Sequence, residues 1–205
     1  IQMVARLAQE GYTIQPRDVF EKQTISQLAR AMKKADVSVS YDQSPITGDV
    51  RLLPIQSWFF EQSMTNQDYW NLSAHFEFKQ SVPLKQLTQV LSKLVDHHDM
   101  LRAAYTKESD GTWIQTIREP GITPCITCFD LKDVSQEEAL EQIRVETGAC
   151  QGTLSLERGE VIKVILFHTS HDTSELFIAA HHLVMDGISW RIIQEDVLNG
   201  LKQLA

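Results

Sequence analysis

Apolar positions along the chain switch between helical and alternating spacing, and each switch predicts an element. Ile1, Val4, Leu7 and Ala8 lie on one helical face, and Gly11 stops that run. Pro16 opens a short turn or helix through Asp18, Val19 and Phe20. Thr24 reads as the N-cap of a helix carrying Ile25, Leu28, Ala29 and Met32. These short helices cannot hold a stable core alone. From Lys33 to Thr47 the apolar periodicity lapses into Lys, Asp, Ser and Pro. This predicts a first domain at 1–34, a linker at 35–47 and a second domain from Gly48.

After Gly48 the pattern is mixed. Pro54 opens a helix over residues 53–63. Ala74, Phe76 and Phe78 share one side of a strand. Leu84, Leu87, Val90, Leu91, Leu94 and Val95 mark a helix. Leu101, Ala103 and Tyr105 suggest a strand, and Asp110-Gly111 predicts a hairpin into a second strand at Trp113–Ile117. Ser135 and Glu138 form a capping box before a helix that ends near Cys150. Two β-rich runs, 160–168 and 175–181, precede a last helix at 189–204. The fold class is therefore α/β with several strands.

Composition narrows the function. The chain has 205 residues, a net charge of −8 and 42% hydrophobic residues. That is globular composition, and its acidic balance excludes a phosphate-binding surface for nucleic acid. No apolar run is long enough to span a membrane and no leader pattern is present, so the expectation is a cytoplasmic protein. The chain opens and closes within apolar helical patterns, so both ends read as cut from a longer polypeptide. Cys125 and Cys128 make a lone CxxC on a strand, which sends the thiols to opposite faces, and no second ligand pair accompanies them. They and Cys150 are expected to be small buried residues in a reducing compartment.

The chemistry concentrates in Ala179-Ala180-His181-His182-Leu183-Val184-Met185-Asp186-Gly187-Ile188-Ser189-Trp190. A buried strand runs into two histidines, then a loop, then a helix. Strand ends hold side chains rigidly while letting them face a cavity. An imidazole with a pKa of about 6.5 is a natural general base there. The same pattern also suits one core histidine beside one exposed one. A metal site on His181, His182 and Asp186 is disfavoured, because adjacent strand side chains diverge.

His181 to Gly187 resembles the HHxxxDG core motif of the condensation-domain superfamily of nonribosomal peptide synthetases, which includes chloramphenicol acetyltransferase-like enzymes. Leu53-Pro54-Ile55-Gln56-Ser57-Trp58-Phe59-Phe60-Glu61 resembles the opening motif of epimerization domains, and His97-His98-Asp99-Met100-Leu101-Arg102 resembles the second superfamily motif. Ser189-Trp190 after the Gly is similar to the epimerization form of the core motif. Residues 1–32, with Pro16-Arg17-Asp18-Val19-Phe20 and Thr24-Ile25-Ser26-Gln27-Leu28-Ala29, are similar to the latter part of a peptidyl carrier domain. Carrier domains are often acidic, whereas residues 1–34 hold six Lys/Arg against three Asp/Glu. The Gly-Gly-x-Ser motif that bears phosphopantetheine is absent, so no cofactor is expected on this chain. The arm belongs to the intact upstream carrier domain.

The resemblance implies one lobe of an acetyltransferase-like pair, with a mixed sheet flanked by helices. Lacking its partner lobe, it should expose an apolar face. It implies L-to-D inversion of the α-carbon of a carrier-bound aminoacyl or peptidyl thioester. In that reading His182 is the acid/base, His181 is structural, and Asp186 orients the loop through a salt bridge for which Arg102 is a candidate. Arg102 reads equally well as a solvated cation near a helix end. Gly187 would permit a tight turn. Trp190 would shape the pocket or pack, and His97 and His98 would favour a helix terminus. The opposing acid/base, a glutamate in a C-terminal lobe, would lie beyond the chain, which alone is expected to be inactive. Implied partners are carrier and adenylation domains of the same synthetase. Two other readings stand beside this one: a peptide-bond-forming condensation domain, and a degenerate docking platform for carriers.

Overall fold

The structure, a computed structural model, describes residues 2–34, 42–62 and 64–204. Ile1, most of the expected linker (35–41), Ser63 and Ala205 lie outside them. The chain divides into two units, Ile1–Ser44 and Pro45–Ala205.

The first unit holds three helices, α1 (Gln2–Gln9), α2 (Pro16–Glu21) and α3 (Ile25–Ala31). Gly11 follows α1 at φ 78°, a left-handed turn that favours glycine. Thr24 Oγ1 accepts the Gln27 amide at 3.3 Å, capping α3 as the sequence predicts. Unforeseen is a two-stranded ribbon: β1 (Tyr12–Thr13) pairs antiparallel with β2 (Lys33–Lys34), where the apolar pattern had lapsed. Ile14 is the one buried apolar residue among the described side chains here; Phe20 and Ile25 are 80% and 87% exposed.

The second unit begins with β3 (Gly48–Val50) and α4 (Pro54–Glu61). A 3-10 turn (Gln67–Tyr69), β4 (Asn71–Phe78), α5 (Leu84–His97) and a second 3-10 turn (Asp99–Arg102) follow. Then come the hairpin strands β5 (Ala103–Lys107) and β6 (Trp113–Ile117), then β7 (Ile126–Asp130), α6 (Gln136–Gln151), β8 (Ile162–His168), β9 (Ser174–His181) and α7 (Ser189–Leu204). Gly111 turns the hairpin at φ 90°. Ser135 and Glu138 close the capping box of α6. One sheet runs β3-β6-β5, antiparallel throughout; the other runs β4-β9-β8-β7, in which β7 and β8 are parallel. The parallel step needs a crossover, and α6 supplies it.

Strands β8 and β9 read as almost continuous apolar runs because both of their faces are covered. Ile162, Val164, Leu166, Leu176, Ile178 and Ala180 join the main core with the apolar stripes of α5 and α7. Their alternates Ile165, Phe167, Phe177 and Ala179 form a second core with Ile143 of α6. Helices α5 and α7 approach so closely that a Cβ on Gly200 would lie 2.7 Å from Val90 Cγ1. Residues Pro45–Thr47, assigned by the sequence to the linker, enter the second unit: the Ile46 amide donates to Asp99 Oδ1 at 3.2 Å.

The cysteine expectation needs correction. Cys125 and Cys128 are exposed and Cys150 is half-buried. For Cys128 the physical reason is position: it lies on β7, the edge of its sheet, so only one flank of that strand is covered. Among the described residues, no helix is long and apolar enough to cross a membrane, and no metal-like cluster of His, Cys, Asp or Glu occurs.

Candidate active site

Strand β9 ends at the middle of its sheet, and its last peptide groups are fixed from both sides. The His181 amide donates to the Val161 carbonyl at 2.9 Å and the His182 amide to the Trp70 carbonyl at 2.8 Å. The successive histidines therefore diverge on a rigid base.

His181 is fully buried. Its Nδ1 accepts the Leu183 amide at 3.1 Å, so Nε2 carries the proton and donates to the Gln67 carbonyl at 2.8 Å. The Phe59 ring meets it edge-on at 5.6 Å. Burial pushes its pKa below the ordinary histidine value. Both ring nitrogens are consumed, and the ring is held neutral.

His182 is exposed, at the wall of a cavity of about 550 Å³. Its Nδ1 lies 3.0 Å from the Met185 carbonyl oxygen. A carbonyl only accepts, so Nδ1 carries the hydrogen and the neutral ring keeps its lone pair on Nε2. The Trp70 indole lies nearly parallel to the imidazole, 6.5 Å away between ring centres. A ring held in this way can take one proton from a group seated in the cavity.

Asp186 makes no ion pair among the described residues, which corrects the expected salt bridge. Its Oδ1 accepts the Ser189 hydroxyl at 2.8 Å and the amides of Ser189 and Ile188 at 2.9 and 3.0 Å. These donors sit at the start of α7, so the carboxylate caps that helix, satisfying amides that have no partner within it. Chiefly the Ser189 amide and hydroxyl, with the Ile188 amide, hold the carboxyl below its usual range.

Arg102 is not the partner, nor is it solvated. It is fully buried and bonds to Asp99 Oδ1 at 2.6 Å and to the carbonyls of Val95, Asp96, Ile46 and Arg118. It locks the end of α5 to the hairpin. His97 ends α5 as expected, and His98 pairs with Asp196 of α7 at 2.7 Å. Gly187 has no left-handed φ, and a Cβ there would meet nothing within 4 Å, so the turn does not require glycine. Trp190 packs half-buried against the main core and does not line the cavity.

Sequence reasoning passed over Gln56 and Trp70. Gln56 is buried; its Oε1 accepts the Leu53 amide at 2.8 Å, capping α4. Its Nε2 donates to Tyr105 Oη at 3.0 Å and to the Leu183 carbonyl at 3.3 Å, tying α4 to the residue after His182. The signal was available: a glutamine within the apolar run Pro54–Phe60. The Trp70 contact runs through a backbone carbonyl and has no such signal.

Residues 46–205 match the condensation-domain family, and the chain belongs to that family. It is 36% identical to tyrocidine synthase 1 of Brevibacillus parabrevis, covering 99% of this chain and 18% of that protein. It is also 36% identical to gramicidin S synthase 1 of Brevibacillus brevis, again covering 99% of this chain and 18% of that one. The chain thus spans a small part of the curated relatives it matches. Among solved structures it resembles the epimerization domain from the third module of tyrocidine synthetase B, at a TM-score of 0.73 and 32% identity over 80% of this chain and 37% of that one. It shares its fold with the starter condensation domain of rhizomide synthetase, at a TM-score of 0.65 and 18% identity over 78% of this chain and 38% of that one. Residues 46–205 are a condensation-superfamily domain of the nonribosomal peptide synthetase kind, with the acetyltransferase-like α/β fold.

Proposed function

We propose that this domain contributes the histidine-bearing half of an epimerization site, which inverts the α-carbon of a carrier-bound aminoacyl or peptidyl thioester. The observation that carries the reading is the exposed His182 ring at the cavity wall, whose Nδ1 faces the Met185 carbonyl and so leaves Nε2 as the nitrogen that can exchange a proton with substrate. Such a nitrogen takes the α-hydrogen, which the thioester carbonyl makes acidic, and a donor on the opposite face returns a proton. In this reading the donor is a glutamate of a second lobe, and His181 and Asp186 support the loop without touching substrate.

The 32% identity to a solved epimerization domain and the Ser189-Trp190 extension of the motif support epimerization. The Pro16–Phe20 and Thr24–Ala29 segments support reading residues 1–34 as the latter part of a carrier domain, in a chain that these relatives match over 99% of its length. The phosphopantetheine arm would sit on the intact carrier. A condensation reaction is the second reading. The family match favours it, and the same nitrogen would then orient or deprotonate an amine.

Exchange of the α-hydrogen on a carrier-bound substrate tests the proposal in the intact synthetase. His182→Ala should lower the exchange rate by about 10²- to 10⁴-fold while leaving the fold unchanged. Undiminished exchange in that variant, or amide formation with no exchange in the parent, would refute the epimerase reading.

A further inference from the structure

The cavity beside His182 also says what kind of substrate side chain it suits. A group whose α-hydrogen reaches Nε2 has the walls of this cavity as its near side. Those walls are Leu53, Ile55, Trp58, Phe59, Trp70 and Met100, completed by the residues of the His182–Ser189 loop.

The neutral polar side chains on this wall, Gln56 and Ser189, are already engaged. Gln56 Oε1 and Nε2 are used within the protein, by Leu53, Tyr105 and Leu183. The Ser189 hydroxyl donates to Asp186 Oδ1 and accepts the Asp186 amide. Among the described residues, Asp186 is the one carboxylate on the wall, and no Lys or Arg lines the cavity. An anionic side chain would meet a carboxylate and no cation. A small side chain would leave aromatic surface wet. Leu53, Ile55 and Trp58 are 59%, 63% and 49% exposed, an unusual amount of apolar surface to leave uncovered around one concavity.

We propose that the cavity selects aminoacyl groups with large apolar side chains, aromatic or branched aliphatic, over anionic and small ones, and that Trp58 is a specificity-determining residue. This rests on the site read above being the substrate site. Trp58 suits the role because it stands on α4, which Gln56 anchors to the catalytic loop, so its ring is presented by a rigid element.

The test separates selectivity from chemistry. Aminoacyl-pantetheine analogues, with an amide in place of the thioester, are titrated against the full chain and followed by tryptophan fluorescence. The panel carries Phe, Leu, Ala and Asp side chains. Phe and Leu analogues should bind at least about tenfold more tightly than Asp and Ala analogues, in line with the discrimination apolar pockets achieve. Trp58→Ala should erase most of the Phe advantage over Ala. Because Trp58 is half-exposed, that variant should fold normally, which its circular dichroism melt checks. Equal or tighter binding of the Asp or Ala analogue, an unchanged Phe preference in Trp58→Ala, or binding of none of the four overturns the inference. A Phe and Leu preference without α-hydrogen exchange in the intact synthetase sinks the proton-transfer reading alone and leaves the pocket assignment standing.

Discussion

A single carbonyl oxygen, that of Met185, fixes which nitrogen of His182 is free. One residue earlier the opposite tautomer is imposed, by an amide on Nδ1 and a carbonyl on Nε2. The contrast has a consequence for pH. His181 has a folded pKa lowered by burial, so the unfolded chain takes up its proton first. Its stability contribution is complete above the unfolded value of about 6.5 and is lost as pH falls from there through the lower folded value. Urea unfolding between pH 7.5 and 5.5 should show this loss, at most about 1.4 kcal/mol per pH unit, and the slope should be shallower in His181→Gln. Both histidines were legible in the sequence, and the resemblance gave His181 a structural and His182 an acid/base part, but their tautomers were not legible. Carbonyls such as those of Gln67, Met185 and Trp70 carry no residue signature, so the hydrogen bonds that decide tautomer and exposure appear only once the chain is folded. The Asp186 reading failed for a related reason: a carboxylate three residues before Ser189 is as well placed to cap α7 as to pair with a distant cation.

Among the elements, strong periodicity read true. The stripe of α5, the alternation of β4, the Asp110-Gly111 hairpin and the Ser135 box of α6 all form where the pattern puts them. Short or edge elements escaped it. Two-residue strands such as β1 and β2 are too brief to show a period, and the exposure of β7 depends on its place at the sheet edge. The packing of α5 on α7 was also invisible, since it depends on a missing side chain. Gly200→Ala should gain about 1 kcal/mol in helix propensity, yet its methyl would run into the branched Val90 side chain 2.7 Å away. We expect net destabilisation of about 1–2 kcal/mol in chemical denaturation, and its relief when Val90→Ala is added.

For the molecule as a whole, the two units differ in how they are held. Residues 45–205 contain two apolar cores against the faces of one sheet, whereas the described part of the first unit buries only Ile14 among its apolar side chains. A chain of residues 45–205 alone should therefore melt cooperatively within about 3 °C of the full chain by calorimetry, because single domains of this size unfold as a unit. The sequence placed a boundary in this region from composition. It could not show that Ile46 is gripped from two sides, because that grip is made by Asp99 and Arg102, more than fifty positions away.

That grip bears on engineering. Transplanting this domain between synthetases requires a junction, and the loss of apolar periodicity invites one just before Gly48. A cut there would replace the peptide whose oxygen satisfies the Arg102 guanidinium at 3.1 Å, and would leave a desolvated cation short of an acceptor. A seam set ahead of Pro45 carries the native strap along with its cargo.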